Sequence, residues 1–240
     1  MPDALSSRDA ILDAAERLFA RQGFNATTVK QIGAESGVNS ALLYYYFADK
    51  ETLYREMLRR GLAAFNRAGV EQLTAALPPA EAIRRFARFQ VDFMTAHPFL
   101  PRLLVRELLD HEAAHAEEQI ATAAAGIFAG LCAVIRRGQA AGEFRADVDP
   151  RFAAISIVGQ VAYMLIARPA AGILLGYGRG GPPPEVLREF ARHAGDFAVA
   201  ALAAPRTGRR ATARTASRRA ARSPAERPAK AAAPRKRKAS

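Results

Sequence analysis

The chain has 240 residues, half of them hydrophobic, with no tryptophan and a single cysteine, Cys132. That length and apolar content allow one or two folded domains with a real core, and one cysteine excludes an internal disulfide and suits a reducing compartment. The net charge of +12 sits at one end: residues 205–240 hold 13 of the 35 basic residues and one of the 23 acids, so the body is neutral.

The N-terminus carries no charged-then-apolar leader. The longest apolar stretch, Ile155 to Ile166, is interrupted by Ser156 and Gln160 and is too short to span a bilayer. A cytoplasmic protein with no membrane partner is expected.

A first helix is predicted over Ser7–Gln22. Ser7 caps it, Asp9 suits its first turn, and Ile11, Ala15, Leu18 and Phe19 recur at i, i+4, i+7 and i+8 along one face. Gly23 stops it, and Phe24 folds back as the hydrophobic contact that follows a glycine cap. The next stretch, Thr27 to Leu53, reads TTVKQIGAESGVNSALLYYYFADKETL. It is expected to form two short helices, a tight turn between them and the start of a longer third helix. Val29 and Ile32 share a face, Gly33 admits close helix contact, and Gly37 supplies the left-handed turn. Asn39 caps the second helix, Leu43 and Phe47 form its buried i,i+4 pair, and Asp49 caps the third. Helix, glycine turn, helix is the layout whose second helix enters a DNA major groove.

Tyr44, Tyr45 and Tyr46 are consecutive, and helix neighbours point about 100° apart, so the three cannot all face one core. A phenol left outside donates to a phosphate oxygen, and Lys50 adds an ionic contact just beyond. Thr27 and Thr28 precede the helix at Val29, where hydroxyls and free backbone N–H groups can hold another phosphate. The alternative is an aromatic cluster packed within its own domain.

Residues 9–58 resemble the DNA-binding domain of the TetR family of bacterial one-component transcription regulators. The resemblance rests on Ile11, Ala14, Leu18, Phe19, Gly23, Thr28, Val29, Ile32, Ala34, Gly37, Val38, Leu43, Tyr44, Phe47, Lys50 and Leu53. It implies that Ser40, Ala41 and Leu42 reach base edges while Tyr44, Tyr45, Tyr46 and Lys50 contact phosphates. The first of those base-reading positions is often lysine in the family. Ser40 stands there here, and serine reaches either base type, so the operator is not legible from it.

Beyond Pro78 the pattern is helical, with helices expected near 79–96, 98–110, 112–140, 150–168 and 183–203 and no convincing strand alternation. The longer third helix should run over 50–68, with Leu53, Met57 and Leu62 inward. Cys132 reads as a small buried hydrophobe. The resemblance implies that this region binds an effector and dimerises. Phe86, Phe89, Phe93, Met94, His97, Arg102, Arg106, Phe128 and Leu131 are the candidate pocket lining, with ordinary core as the alternative. Arg102 and Arg106 either meet an anionic inducer or pair with Glu107 and Asp110, the second being favoured. Phe152, Ile155, Gly159, Tyr163, Val186, Phe190 and Phe197 are candidates for a four-helix dimer interface.

One rival motif stands apart. His111-Glu112-Ala113-Ala114-His115 spells H-E-x-x-H, the zinc metalloprotease pattern. A catalytic zinc needs a third ligand, no Gly-x-x-His follows, and the flanks are alanine-rich and acidic. These residues are therefore taken as surface groups at a helix start, with adventitious or sensory metal binding as the alternative, and no metal site, cofactor or catalytic residue is expected.

The segment 205–240 contains no aliphatic larger than alanine, so it cannot build a core and is expected to be disordered. Its single-signed charge suits nonspecific phosphate contact near the nucleoid. The organisation expected is all-α: a three-helix helix-turn-helix DNA-binding domain over 1–50, a helical effector-binding and dimerisation domain over 51–204, and the tail. The function expected is a homodimeric, ligand-responsive regulator, a repressor released from a palindromic operator by a small molecule. A nucleoid-associated architectural DNA binder and a metal-dependent hydrolase using His111 and His115 are the alternatives.

Overall fold

The computed structural model describes residues 4–74 and 76–205. The expected disorder of the basic tail lies outside the described residues. Among those described, the structure is helical throughout, with one isolated β-bridge between Phe144 and Ala203.

Helix α1 (Ala4–Ala26) is regular until Gly23, whose φ of 84° breaks it where the sequence predicts a stop. Helix α2 (Val29–Ser36) opens with a capping box, in which the Thr28 side chain accepts from the Gln31 N–H while Gln31 Oε1 accepts from the Thr28 N–H. It closes at Gly37, φ 71°, in the left-handed region. Helix α3 (Ser40–Tyr46) is capped by Asn39, whose Oδ1 accepts from the Leu42 N–H at 2.8 Å. Gly33 sets how closely α3 approaches α2, since a Cβ there would stand 2.9 Å from the Val38 carbonyl oxygen.

Helix α4 (Lys50–Thr74) starts at Asp49, which accepts from the Thr52 N–H at 2.7 Å, and runs further than the sequence predicts. Ile11, Leu12, Phe19, Ile32, Leu43, Leu53 and Leu58 are fully buried and form one cluster with Tyr54 and Met57. Leu103 and Ala116, from the far side of the chain, complete it.

Helices α5 (Pro79–Ala96) and α6 (Leu100–His111) fall close to expectation. The helix expected over 112–140 does not form as one element. Residues 112–116 make a turn, with Glu112 and Ala113 at φ of 50° and 69°. Helix α7 (Glu117–Ala123) then widens into a π segment, Ala124–Phe128, before α8 (Ala129–Ala140). Asn66 of α4 enters the ladder at the widening, where its Oδ1 accepts from the Ile127 N–H at 3.2 Å and its Nδ2 donates to the Thr122 carbonyl at 3.4 Å. A side chain inserted into the backbone ladder is a standard source of such a bulge.

The helical run Glu117–Ala140 has 24 residues and a mean hydropathy of 1.6, long and apolar enough by composition to cross a bilayer, unlike Ile155–Ile166. Its Leu131, Cys132, Val134 and Ile135 pack instead into a second cluster with Phe86, Ile83, Phe144, Ile157 and Leu202. Cys132 is buried there, as expected.

The expected helix over 150–168 ends early. Helices α9 (Pro150–Ile166) and α10 (Arg168–Leu174) meet at 83°, with Pro169 opening α10. Helix α11 (Pro184–Leu202) packs along α5.

Candidate nucleic-acid interface and cavity

Helix α3 has one face committed and one face free. Leu43 and the following Phe47 are buried against α1 and α4, which fixes the roll of the helix. Ser40, Ala41 and Tyr44 turn outward, and Tyr45 is the most exposed, at 79%. Leu42 is half-buried. Tyr46 is half-buried as well, its ring edge-on to Tyr45 at 5.2 Å and tilted against Phe47 at 6.5 Å. The three tyrosines thus divide as the helical spacing requires, two outside and one partly inside.

One expected phosphate contact needs correction, and a second residue has a further role. Thr27 is fully buried, and its hydroxyl donates to the Gly23 carbonyl at 2.7 Å, so it is not available to a phosphate. The broken end of α1 leaves orphan carbonyls that must be satisfied, and Thr27 takes one of them. Lys50 is half-buried, and its ammonium donates to the Phe24 and Thr27 carbonyls at 3.0 and 3.1 Å. Thr28 is exposed at the start of α2, its hydroxyl engaged with Gln31 in the capping box. Lys30 in the first turn of α2 is exposed and has no ion-pair partner among the described residues; the sequence reading passed over it.

Ion pairs tie together the reading head, meaning α1 to α3 with the first turns of α4, which the helical body of the remaining helices follows. Arg17 meets Glu35 at 3.0 Å between α1 and α2, and Arg60 reaches Asp13 at 2.5 Å between α4 and α1. Glu56 of α4 bridges Arg59 and Arg8, and their hydrogen bonds, that from Arg59 foremost, hold its carboxyl down to about 2.

A cavity of about 820 Å³ lies between the head and the body. Arg21, Arg102, Arg106, Arg168 and Arg179 line it against a single carboxylate, Asp110, and Met94, Val105 and Leu187 supply apolar wall. Of the nine residues expected to form a pocket, Met94, Arg102 and Arg106 line this cavity. The others do not. Phe86 and Leu131 are fully buried in the second cluster, with Phe89 and Phe128 packed on it. Phe93 is tilted on Phe89 at 5.6 Å and stacked with His97 at 4.3 Å. Aromatic rings at helical spacing pack on one another here, Phe65, Phe86, Phe89 and Phe93 lying 5.3–6.0 Å apart in successive pairs. Arg106 pairs weakly with Asp110 at 3.9 Å, but Glu107 faces the other side of α6, away from both arginines' expected pairing. Arg102 has no ion-pair partner among the described residues.

Helix α9 is apolar on two sides. Ala154, Ile157, Val161 and Met164 are buried, while Phe152, Ile155, Tyr163 and Ile166 are exposed. Beside them stands the exposed Phe197 of α11, over a shallow apolar groove of about 330 Å³. A Cβ at the exposed Gly159 would meet nothing. Val186 and Phe190 are half-buried, and Phe190 packs on the intrachain cluster of Val91, Val161 and Leu187.

The H-E-x-x-H residues are not surface groups at a helix start. The turn at 112–116 breaks any helix through them, and it folds His115 back onto Glu107, which is 1% exposed. The His115 N–H donates to Glu107 Oε1 at 2.7 Å, its ring is 12% exposed, and its ring centre lies 4.5 Å from that of His111. The broken helix also denies Glu112 the arrangement a metalloprotease base needs, with two histidines on one helical face.

Comparison with known proteins agrees with this geometry. The family model "Bacterial regulatory proteins, tetR family" matches residues 11–57, and "Tetracyclin repressor-like, C-terminal domain" matches residues 79–198. The HTH-type transcriptional repressor NicS of Pseudomonas putida is 35% identical over 144 residues, which span 59% of this chain and 68% of NicS. The regulator RutR of Escherichia coli K12 is 33% identical over 104 residues, 43% of this chain and 49% of RutR. Among solved structures, the TetR family regulator PfmR of Thermus thermophilus superposes with a TM-score of 0.64 at 27% identity, covering 79% of this chain and 97% of PfmR. FadR of Bacillus subtilis, solved with stearoyl-CoA, shares the fold at a TM-score of 0.64 and 18% identity, covering 81% and 98%. With both halves matched and the reading helix in place, the chain belongs to the TetR family of DNA-binding bacterial transcription regulators.

Proposed function

We propose that this protein is a homodimeric, sequence-specific repressor that leaves a palindromic operator when a small anionic molecule binds. The observation that carries the reading is the outward face of α3, where Ser40, Ala41, Tyr44 and Tyr45 stand exposed on a helix whose opposite face is clamped by Leu43 and Phe47. In this reading residues 1–50 bind DNA, with Ser40, Ala41 and Leu42 toward base edges and Thr28, Tyr44, Tyr45 and Tyr46 toward phosphates. Residues 51–204 bind effector and dimerise. Two copies joined through α9 and α11 present their reading helices to successive major grooves about 34–36 Å apart.

The arginine-lined cavity supports an effector with a negatively charged group on a partly apolar body. The stearoyl-CoA held by FadR is a molecule of that kind, in a protein of the same fold. An effector releases DNA only to the extent that it binds the non-reading dimer more tightly than the reading one.

A second reading rests on the +12 charge of residues 205–240, which alone suffices for nonspecific DNA contact. Selection of bound sequences from random duplex DNA, with the whole chain and with a chain ending at Ala204, separates the two. One enriched palindrome from both proteins is the expected result. No enrichment, with binding lost on truncation, would overturn the repressor reading in favour of an architectural binder.

A further inference from the structure

We propose that Glu107, His111 and His115 form a binding site for a divalent transition-metal ion of the zinc class, set at the seam between the reading head and the helical body. The inference goes beyond the repressor reading and does not depend on it.

One ligating atom from each of the three residues lies within 4.8 Å of the other two. An ion about 2.0–2.2 Å from each ligand would separate them by about 3.3–3.6 Å, so small side-chain rotations close the site. Two imidazoles and one carboxylate are the donor set that favours zinc over magnesium or calcium, which demand mostly oxygen.

The surroundings are those of a supported ligand set. Glu107 is buried, with its Oε1 already held by the His115 N–H at 2.7 Å and its Oε2 3.3 Å from His115 Nδ1. Tyr54, 1% exposed, belongs to the buried cluster against which these rings pack. A ligating carboxylate that is itself hydrogen-bonded is held in orientation, which strengthens a metal site. Phe24 and Tyr54 wall the imidazoles, their ring centres 5.1 Å apart and each 5.5–6.2 Å from the histidine rings. Glu51 Oε1 stands 3.9 Å from His115 Nε2, across the ring from the Nδ1 that faces Glu107, so a water would complete the tetrahedron.

The backbone is shaped to the same end. Glu112 and Ala113 both adopt left-handed geometry, which is costly for residues other than glycine. What that turn achieves is to bring His115 back over Glu107, whose carbonyl also accepts from the Ala113 N–H at 3.1 Å. An ion here would join α6 and the turn before α7 where they press on Phe24 of α1 and Tyr54 of α4.

The test is titration of the chelator-stripped, full-length protein with zinc chloride, followed by calorimetry and thermal unfolding. One zinc per chain and a rise of several degrees in melting temperature are expected. X-ray absorption at the zinc edge should show two imidazole nitrogens. The remaining histidines provide the control: a protein carrying His97→Gln and His193→Gln should retain both effects, and His111→Gln should lose both. His111 contributes ring contacts and no side-chain hydrogen bond among the described residues, so His111→Gln should stay folded by circular dichroism even if His115→Gln does not. Absence of stoichiometric binding, or binding that survives His111→Gln, would overturn the proposal and leave Glu107 as the cap of a strained turn.

Discussion

The ammonium of Lys50 lies 4.3 Å from the centre of the Phe24 ring and donates to the Phe24 and Thr27 carbonyls at 3.0 and 3.1 Å. The first residue of α4 thereby closes the open end of α1, and one cation satisfies backbone acceptors while resting on an aromatic face. Lys50→Met should remove these contacts, lowering stability by about 1–3 kcal/mol, and weaken operator binding through a loosened head. Thermal unfolding checks it. A variant with unchanged melting temperature and lost DNA affinity would assign Lys50 to direct phosphate contact instead.

Tyr44 and Tyr45 predict the opposite pattern. Their phenols are exposed, at 55% and 79%, so Tyr44→Phe and Tyr45→Phe should leave the melting temperature in place. Each should lose one hydrogen bond to DNA, about 0.5–1.5 kcal/mol, or roughly a two- to tenfold weaker operator complex. Thr27→Val should instead lower stability by about 1 kcal/mol, because its buried hydroxyl bonds the Gly23 carbonyl. Fluorescence anisotropy on a labelled operator, paired with melting curves, separates the two classes of residue.

Glu56 makes the head sensitive to acid. Its carboxyl is lowered from 4.5 to about 2, chiefly by the hydrogen bond from Arg59 and then that from Arg8. The unfolded chain binds this proton first as pH falls, so the stabilisation is complete above about pH 4.5 and is lost toward pH 2. The arginines are substantially exposed, which brings the expected contribution down to about 1–2 kcal/mol. Melting temperature measured from pH 6 to pH 2 should fall less steeply in Glu56→Gln than in the wild type, and parallel curves would refute the assignment.

What was legible in the sequence is what local chemistry decides. The Asn39 and Asp49 caps, the Gly23 and Gly37 breaks and the Leu43 and Phe47 pair each depend on residues within a few positions. The π segment was not legible, because it needs Asn66, 61 positions before Ile127, to enter the ladder. The turn at 112–116 was missed for a similar reason: a run of good helix formers was overruled by a buried carboxylate on the preceding helix. The cavity escaped for a third reason. Arg21, Arg102 and Arg168 come from three separate helices, and no periodicity joins them, whereas Phe86, Phe89 and Phe128 share a helical pattern and pack in the second cluster.

Asn66 gives a test of the connection between α4 and the body. Asn66→Ala would leave the Ile127 N–H without its acceptor and the π turn without its wedge. A partly buried donor left unpaired costs about 1–3 kcal/mol, unless the π segment relaxes to regular α-helix. Hydrogen exchange at residues 124–128 should read the outcome directly, with faster exchange in the variant. Unchanged exchange would mean that the bulge is set by the packing of Gly126 and Ile127 and not by Asn66.

The outward face of α9 gives the test of assembly. Phe152, Ile155, Tyr163 and Ile166 are apolar and exposed on a helix whose other side is already buried, and Phe197 of α11 extends the same surface. A helix that is apolar all round requires cover on both sides, and the proposed dimer would cover the free side with a second copy. Ile155→Glu combined with Phe197→Glu places charges in that surface without touching the intrachain clusters. Sedimentation should find the wild type as a dimer and the double variant as a monomer of unchanged helical content. Operator affinity should fall with it, since one reading head grips only one half-site. A double variant that remained dimeric would move the interface elsewhere on the molecule.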